Sequence, residues 1–239
     1  MRTRNYIYKK TGVSTSTELK ELIRASDGEV FTVICADAQT QGRGRMGRSF
    51  FSPEGGIYFS AAFPLKGNEK HASFITLLAG LTVCEALERH CKKPLSIKWP
   101  NDIYFDGRKL CGILTEQTKN TAVVGIGINC FSGFPDELKG IAVSLADIGA
   151  KPPDKKAFVE SVVTALDKEI YENGVLFRGS EKLADEINRR FYLKNKTVTA
   201  ISEQKEIKGK ALGINDWGAL IVLTSEGEKE IISGEAHIV

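Results

Sequence analysis

Three arginines stand within six residues, Arg43, Arg45 and Arg48, in the run Gln39-Thr40-Gln41-Gly42-Arg43-Gly44-Arg45-Met46-Gly47-Arg48. No acidic residue lies between Asp37 and Glu54 to offset them. Guanidinium forks grip phosphate oxygens two at a time, and glycines let a backbone approach a ligand closely. Like charges so close repel, so the segment reads as a loop that orders around an anion. A solvated basic turn or an RNA-binding patch uses the same residues, and the loop by itself does not choose among these. Gly42, Gly44 and Gly47 also satisfy GxGxxG. The dinucleotide reading fails on context, because that fingerprint needs a helix to start at the loop. Here Pro53, Gly55 and Gly56 follow, and then a strand.

A second cluster is Lys98-Trp99-Pro100-Asn101-Asp102-Ile103. Pro100 stops ladder pairing and stiffens the corner, which fixes Asn101 and Asp102 in place. A carboxylate there suits Mg²⁺, a hard ion that takes oxygen ligands. An Asx-turn satisfied by its own backbone is the plainer use of the same pair. Asp106-Gly107 is a hairpin signal, and Lys109, just after it, is expected near Asn101 and Asp102. A third piece, Val124-Gly125-Ile126-Gly127-Ile128-Asn129, alternates glycine with branched residues. Glycine weakens a strand unless something packs on the bare backbone, either a flat ligand or a close helix.

The surrounding elements must hold these pieces. Thr15-Ser16-Thr17-Glu18 has the form of a capping box, which predicts a helix over 16–25. Strands are expected at 30–36 and 57–63, the latter stopped by Pro64, with a long loop over 40–56 between them. Apolar residues around most of the circumference predict a buried helix over 70–91. The segments 95–99, 110–117 and 121–130 read as strands, with the hairpin at Asp106-Gly107 between the first two. Helices follow at 155–172, capped by Asp154, and at 181–191. After Tyr192 only short strands remain, at 197–201, 206–211, 220–224 and 229–232. The chain therefore divides into a large α+β domain over 1–192, with a mixed or antiparallel sheet and packed helices, and a small β-barrel domain over 193–239.

Composition excludes several classes. The net charge of +3 is too small for a global nucleic-acid field, so any anion site is local. No run approaches the ~18 apolar residues of a membrane span, and the N-terminus lacks the apolar stretch of a secretory signal. Five cysteines without a CxxC pair argue for buried free thiols in a reducing cytoplasm. The scattered His71, His90 and His237 give no metal site and no Ser/His/Asp triad.

Together the four internal motifs resemble the biotin–protein ligase family. They are GRGRxGR over Gly42–Arg48 with Pro53, KWPND over Lys98–Asp102, RKLxG over Arg108–Gly112 and GxGIN over Gly125–Asn129, in the family's order and spacing. Ser14-Thr15 resembles the start of its STN segment, and Gly234-Glu235 its C-terminal GE. The resemblance implies a class II synthetase-like catalytic domain with an SH3-like barrel. It implies ATP-dependent activation of biotin to biotinyl-5′-AMP and transfer to a lysine of a biotin carboxyl carrier protein of acetyl-CoA carboxylase or a related enzyme. The implied biotin-binding residues are Ser14, Thr15, Ser16, Gln39, Arg43, Gly44, Arg45, Lys109, Gly112 and Gly125. Arg48, Phe50, Asn101, Asp102, Lys109 and Asn129 would serve ATP, and Asp102 its Mg²⁺. Lys109, Arg45 and Arg48 would carry the catalysis. Ser16 and Phe50 depart from the family pattern, which has Asn and Trp there.

The rival readings are a lipoate or octanoate ligase of the same superfamily and a non-catalytic nucleotide- or RNA-binding protein. Some family members carry an N-terminal helix-turn-helix. Here 29 residues precede Val30, so the form without a DNA-binding domain is expected. Arg2, Arg4, Lys9 and Lys10 would then give at most weak, salt-sensitive DNA contact. No membrane partner is expected, and a homodimer remains open.

Overall fold

The computed structural model of the protein describes residues 3–27, 29–65, 67, 72–131, 133–202 and 205–239. The expected helix start at 70 with His71, and Arg2 at the N-terminus, lie outside the described residues. Seven strands form one mixed sheet. They are β1 (Asn5–Gly12), β2 (Thr32–Gln39), β3 (Ile57–Pro64), β4 (Ser96–Lys98), β5 (Asp102–Phe105), β6 (Arg108–Thr118) and β7 (Thr121–Ile128), in the order β1-β2-β3-β7-β6-β5-β4. Only the β1–β2 pair is parallel.

β3 and β7 are buried along their whole length. Strands covered on both faces read as continuous apolar runs, and both do, save for Ser60, Thr121 and the glycines of β7. One face is covered by α1 (Thr15–Ala25), whose Leu19 and Ile23 pack on Ile34, Ala62 and Val123. The other is covered by α2 (Ala72–Cys91) and α3 (Lys155–Asp167), around Phe59, Phe63, Val124 and Ile126. Asp154 caps α3 as expected, its carboxylate accepting from Ala157 N at 2.8 Å. That helix ends at Asp167, and 168–172 continue as a wider π turn.

Several expectations change. The first strand is β1, not the segment at Val30. Its polar, half-exposed edge sequence conceals it, because only one side of it pairs. Arg4 is not free for phosphates: its side chain is 2% exposed and bridges Asp167 at 2.6 Å. Lys9 pairs with Glu18. The capping box is displaced. Ser14 is the N-cap, and Glu18 turns back to accept from Val13 N at 2.8 Å. The Asp106-Gly107 hairpin, with both residues at positive φ, joins β5 to β6 rather than β4 to β6. A one-turn helix α4 (Val175–Arg178) precedes α5 (Glu181–Arg189).

The remaining strands, β8 (Thr197–Ser202), β9 (Lys205–Ile214), β10 (Leu220–Thr224), β11 (Gly227–Ile231) and β12 (Glu235–Ile238), form an SH3-like antiparallel unit ordered β11-β10-β9-β8-β12. β12, only four residues long, was not expected from the sequence. The unit's interior, including Val198, Ala211, Leu220, Val222 and Ala236, is continuous with the core of the larger domain. Polar contacts fasten the two together. Trp99 Nε1 donates to Gly218 O at 3.0 Å, and the Asn188 amide exchanges two bonds with the Ile214 backbone. No described helix is long and apolar enough to cross a membrane.

The Arg4–Asp167 pair holds β1 against α3, and Arg4 also lies over the Phe63 ring. Removing one partner of a buried pair strands the other charge. Arg4→Met is therefore expected to lower unfolding free energy by about 3 kcal/mol, measured by urea denaturation. Arg4→Met with Asp167→Leu should recover most of that loss. A single-variant loss below about 1 kcal/mol, the level of an exposed pair, would show that the pair does not fasten β1.

Candidate active site

Side chains alternate between sheet faces, so strand register decides what shares the α1 face. One transverse row runs Ala36, Tyr58, Gly127, Gly112, Asp102, Lys98 across β2, β3, β7, β6, β5 and β4. The next row runs Ile34, Ser60, Gly125, Leu114. Each row thus carries glycine at its centre, and an open cleft of about 170 Å³ lies over them.

The glycines are occupied from above. A Cβ on Gly127 would stand 2.5 Å from Phe50 Cε1, and one on Gly112 would stand 2.8 Å from Phe50 Cε2. The Phe50 ring therefore rests directly on the backbone of two paired strands, with the Lys109 ammonium 5.6 Å from its centroid. A Cβ on Gly125 would meet Ser16 Oγ at 2.4 Å. At that end the hydroxyls form a chain. Ser60 Oγ lies 2.8 Å from Thr15 Oγ1 and 2.9 Å from Ser16 Oγ, and Gln39 Oε1 accepts from Thr15 N at 2.9 Å. This polar group sits at the N-terminus of α1, whose free N–H groups favour an acceptor oxygen.

The opposite end is cationic. Lys109 Nζ lies 2.8 Å from Asp102 Oδ1, which also accepts from the Asn101 amide at 3.0 Å. Arg45 reaches across the cleft to donate to Gly234 O at 2.8 Å and lies 3.5 Å from Asn101 Oδ1. Arg48 pairs with Glu235. Burial lowers the Arg45 pKa, with Arg48 adding and Asp102 opposing. Burial, then the Lys98 and Arg48 charges, push the His237 imidazole down. Burial pushes the Tyr104 phenol up to about 12, with Asp102 and Tyr192 adding.

Fourteen of the sequence-predicted residues line this one cleft: Ser14, Thr15, Ser16, Gln39, Arg43, Gly44, Arg45, Arg48, Phe50, Asn101, Asp102, Lys109, Gly112 and Gly125. Asn129 is not among the lining residues. It is 4% exposed, and its amide donates to Lys109 O and Val143 O at 3.2 Å each, so it braces the strand that carries Lys109. Sequence reasoning overlooked Ser60, although a serine in a strand otherwise wholly apolar and aromatic was a signal. It also gave the C-terminal unit no part in the cleft wall, where Glu235, Ala236 and His237 stand. Among the described residues no group of three or more His, Cys, Asp or Glu is placed to cage a metal.

The mixed sheet, the arginine loop over it and the SH3-like appendage together define a class II synthetase-like ligase unit. Sequence comparison agrees: the profile of the Biotin/lipoate A/B protein ligase family matches residues 9–131, and that of the Biotin protein ligase C terminal domain matches 195–238. The chain belongs to the biotin/lipoate A/B protein ligase family. It is 32% identical to the bifunctional ligase/repressor BirA of Bacillus spizizenii over 97% of this chain and 73% of that protein. It is 27% identical to the biotin--[acetyl-CoA-carboxylase] ligase of Paracoccus denitrificans over 93% and 95% of the two. The biotin protein ligase of Aquifex aeolicus in complex with biotin and ATP superposes with a TM-score of 0.86 at 35% identity, covering 98% of each chain. Against four bifunctional relatives, the chain spans from 65% to 73% of their length.

The packing of Phe50 on glycine is directly testable. Gly127→Ala should cost about 1–3 kcal/mol by overpacking, and the cost should largely vanish in a Phe50→Ala background. A double-mutant cycle by chemical denaturation measures this. An equal cost in both backgrounds would remove the ring from the glycine floor.

Proposed function

We propose that the chain is an ATP-dependent biotin–protein ligase, forming biotinyl-5′-AMP and passing the biotinyl group to a lysine of a biotin-accepting carrier domain. The observation that carries this reading is the cleft's division into a hydroxyl-lined end and a cationic end, joined over a glycine floor on which Phe50 and Ser16 rest. The fused ureido ring of biotin offers one carbonyl acceptor and two N–H donors. Thr15, Ser16, Gln39 and Ser60, with Ser14 beside them, supply matching groups at the positive end of α1. A lipoyl dithiolane ring or an octanoyl chain has no use for them. An RNA-binding role gives no reason for Arg45 and Arg48 to turn inward onto Gly234 and Glu235.

The flexible acyl arm of biotin then runs past Gly125 and Gly112, alongside the Ser16 hydroxyl and the Phe50 ring that rest on them, with its carboxylate at Lys109. A carboxylate attacking a triphosphate faces like-charge repulsion. Lys109, Arg45 and Arg48 offset that repulsion and hold the attack in line. The carboxylate oxygen bonds to the α-phosphorus, the bond to the bridging oxygen breaks, and pyrophosphate leaves with the electron pair. Asp102, beside Asn101, fits a Mg²⁺ ion arriving on the triphosphate, since such ions are held by one or two carboxylates plus phosphates. When bound, that ion neutralises phosphate charge.

The arginine loop closes the cleft and protects the mixed anhydride from water. The carrier lysine enters as its neutral amine and attacks the biotinyl carbonyl. The amide forms and AMP leaves. Asn129 acts through Lys109 as a positioning residue. The reading assigns this chemistry to the cytoplasm and includes no specific DNA or membrane partner, and a homodimer is compatible with it.

The test is exchange of labelled pyrophosphate into ATP by the purified chain. Biotin should support exchange. Lipoate and octanoate should not. Exchange supported by lipoate or octanoate and not by biotin would overturn the assignment.

A further inference from the structure

The geometry points to Lys98 as the seat of the leaving pyrophosphate, a role separate from that of Lys109. This inference rests on the adenylation reading. It begins with the transverse row. From the hydroxyl end, the cleft passes over Gly125 and Gly112 to Lys109 and Asp102, and the row ends at Lys98 on β4. Strands lie about 4.8 Å apart, so Lys98 stands roughly 10 Å beyond Gly112. In-line displacement sends the leaving group away from the nucleophile. With the acyl arm entering from the Ser60 side, the β- and γ-phosphates extend toward β4.

Charge pairing and burial together point to the same residue, since Arg43, which also lines the cleft and has no carboxylate partner among the described residues, is exposed. Lys109 is matched by Asp102, Arg48 by Glu235, and Arg45 by the Gly234 carbonyl. Among the described residues, no carboxylate lies within ion-pair distance of the Lys98 ammonium. Its polar contact is the Tyr104 hydroxyl at 3.4 Å, and it lies 5.3 Å from the centre of that ring. Lys98 is half-buried, and its nearest carboxylate by sheet register, Asp102, is already taken by Lys109. Burial, then the positive charges of Lys109, Arg48 and Lys196, lower its pKa against the pull of Asp102. An unmatched ammonium among like charges is a costly arrangement for an empty protein. A tetra-anionic leaving group repays it. The aromatic ring beneath the lysine stem orients the ammonium without neutralising it, which leaves its charge available to the ligand.

The decisive measurement is the reverse reaction, synthesis of ATP from biotinyl-adenylate and inorganic pyrophosphate. In Lys98→Met the pyrophosphate concentration at half-saturation should rise about 10–100-fold, the loss of one charge-assisted contact. The KM for biotinyl-adenylate should change far less. Lys98→Arg, which keeps the charge and the contact with Tyr104, should recover most of the pyrophosphate affinity. Equal pyrophosphate half-saturation in wild type and Lys98→Met would overturn the proposal. So would parallel losses for pyrophosphate and adenylate that Lys98→Arg does not repair, because those mark a structural defect. If the wild-type chain makes no ATP from these two reactants, it is the adenylation reading itself that fails.

Discussion

Repulsion among like charges is the constraint around which this molecule is arranged. Arg43, Arg45, Arg48, Lys98 and Lys109 converge on one cleft that contains two carboxylates, Asp102 and Glu235. Such charges repel one another, the more strongly where water is excluded. The fold contains the strain by bringing partners from far along the chain. The β5–β6 hairpin presents Asp102 to Lys109, and β12 presents Glu235 and the Gly234 carbonyl to the arginine loop. The C-terminal unit is therefore part of the site. Without it the loop loses the contacts that Arg45 and Arg48 make with Gly234 and Glu235. An entering polyphosphate competes for the same cations, which ties ligand binding to loop position.

The sheet solves the complementary problem of space. A cleft over the middle of a sheet requires central strands with little side chain on that face, yet such strands must still be stable. β6 and β7 meet both needs by alternation. Ile113, Val124, Ile126 and Ile128 fill the core on the α2 face, while Gly112, Gly125 and Gly127 leave the α1 face bare. Phe50 and Ser16 then settle onto the exposed backbone and become walls of the site. Phenylalanine at position 50, where the family pattern has tryptophan, contacts the floor with a smaller ring.

Much of this was legible in the sequence because local signals and chemistry coincided. Asp106-Gly107 marked its hairpin, Asp154 its helix, and Pro100 the corner that fixes Asn101 and Asp102. The illegible parts share a different character. β1 and β12 are edge strands, where half the residues face solvent and the apolar pattern fades. Thr15 imitates a cap because hydroxyls serve helix termini and ligand pockets alike. The tie between Arg48 and Glu235 joins residues 187 apart, and only the folded chain reveals it. Asn129 was expected to serve ATP, and the structure turns its amide toward Lys109 O and Val143 O.

The central claim is that one cleft first makes and then spends an enzyme-bound acyl-adenylate. Incubating the chain with biotin and Mg-ATP but no carrier, then removing free ligand and analysing the protein-bound fraction by mass spectrometry, tests it most directly. The account predicts biotinyl-5′-AMP retained near one equivalent per chain, and its conversion to a biotinylated lysine when a biotin-accepting domain is added without further ATP. A carrier that becomes biotinylated only while ATP is still present, with no adenylate recovered from the protein, would contradict it.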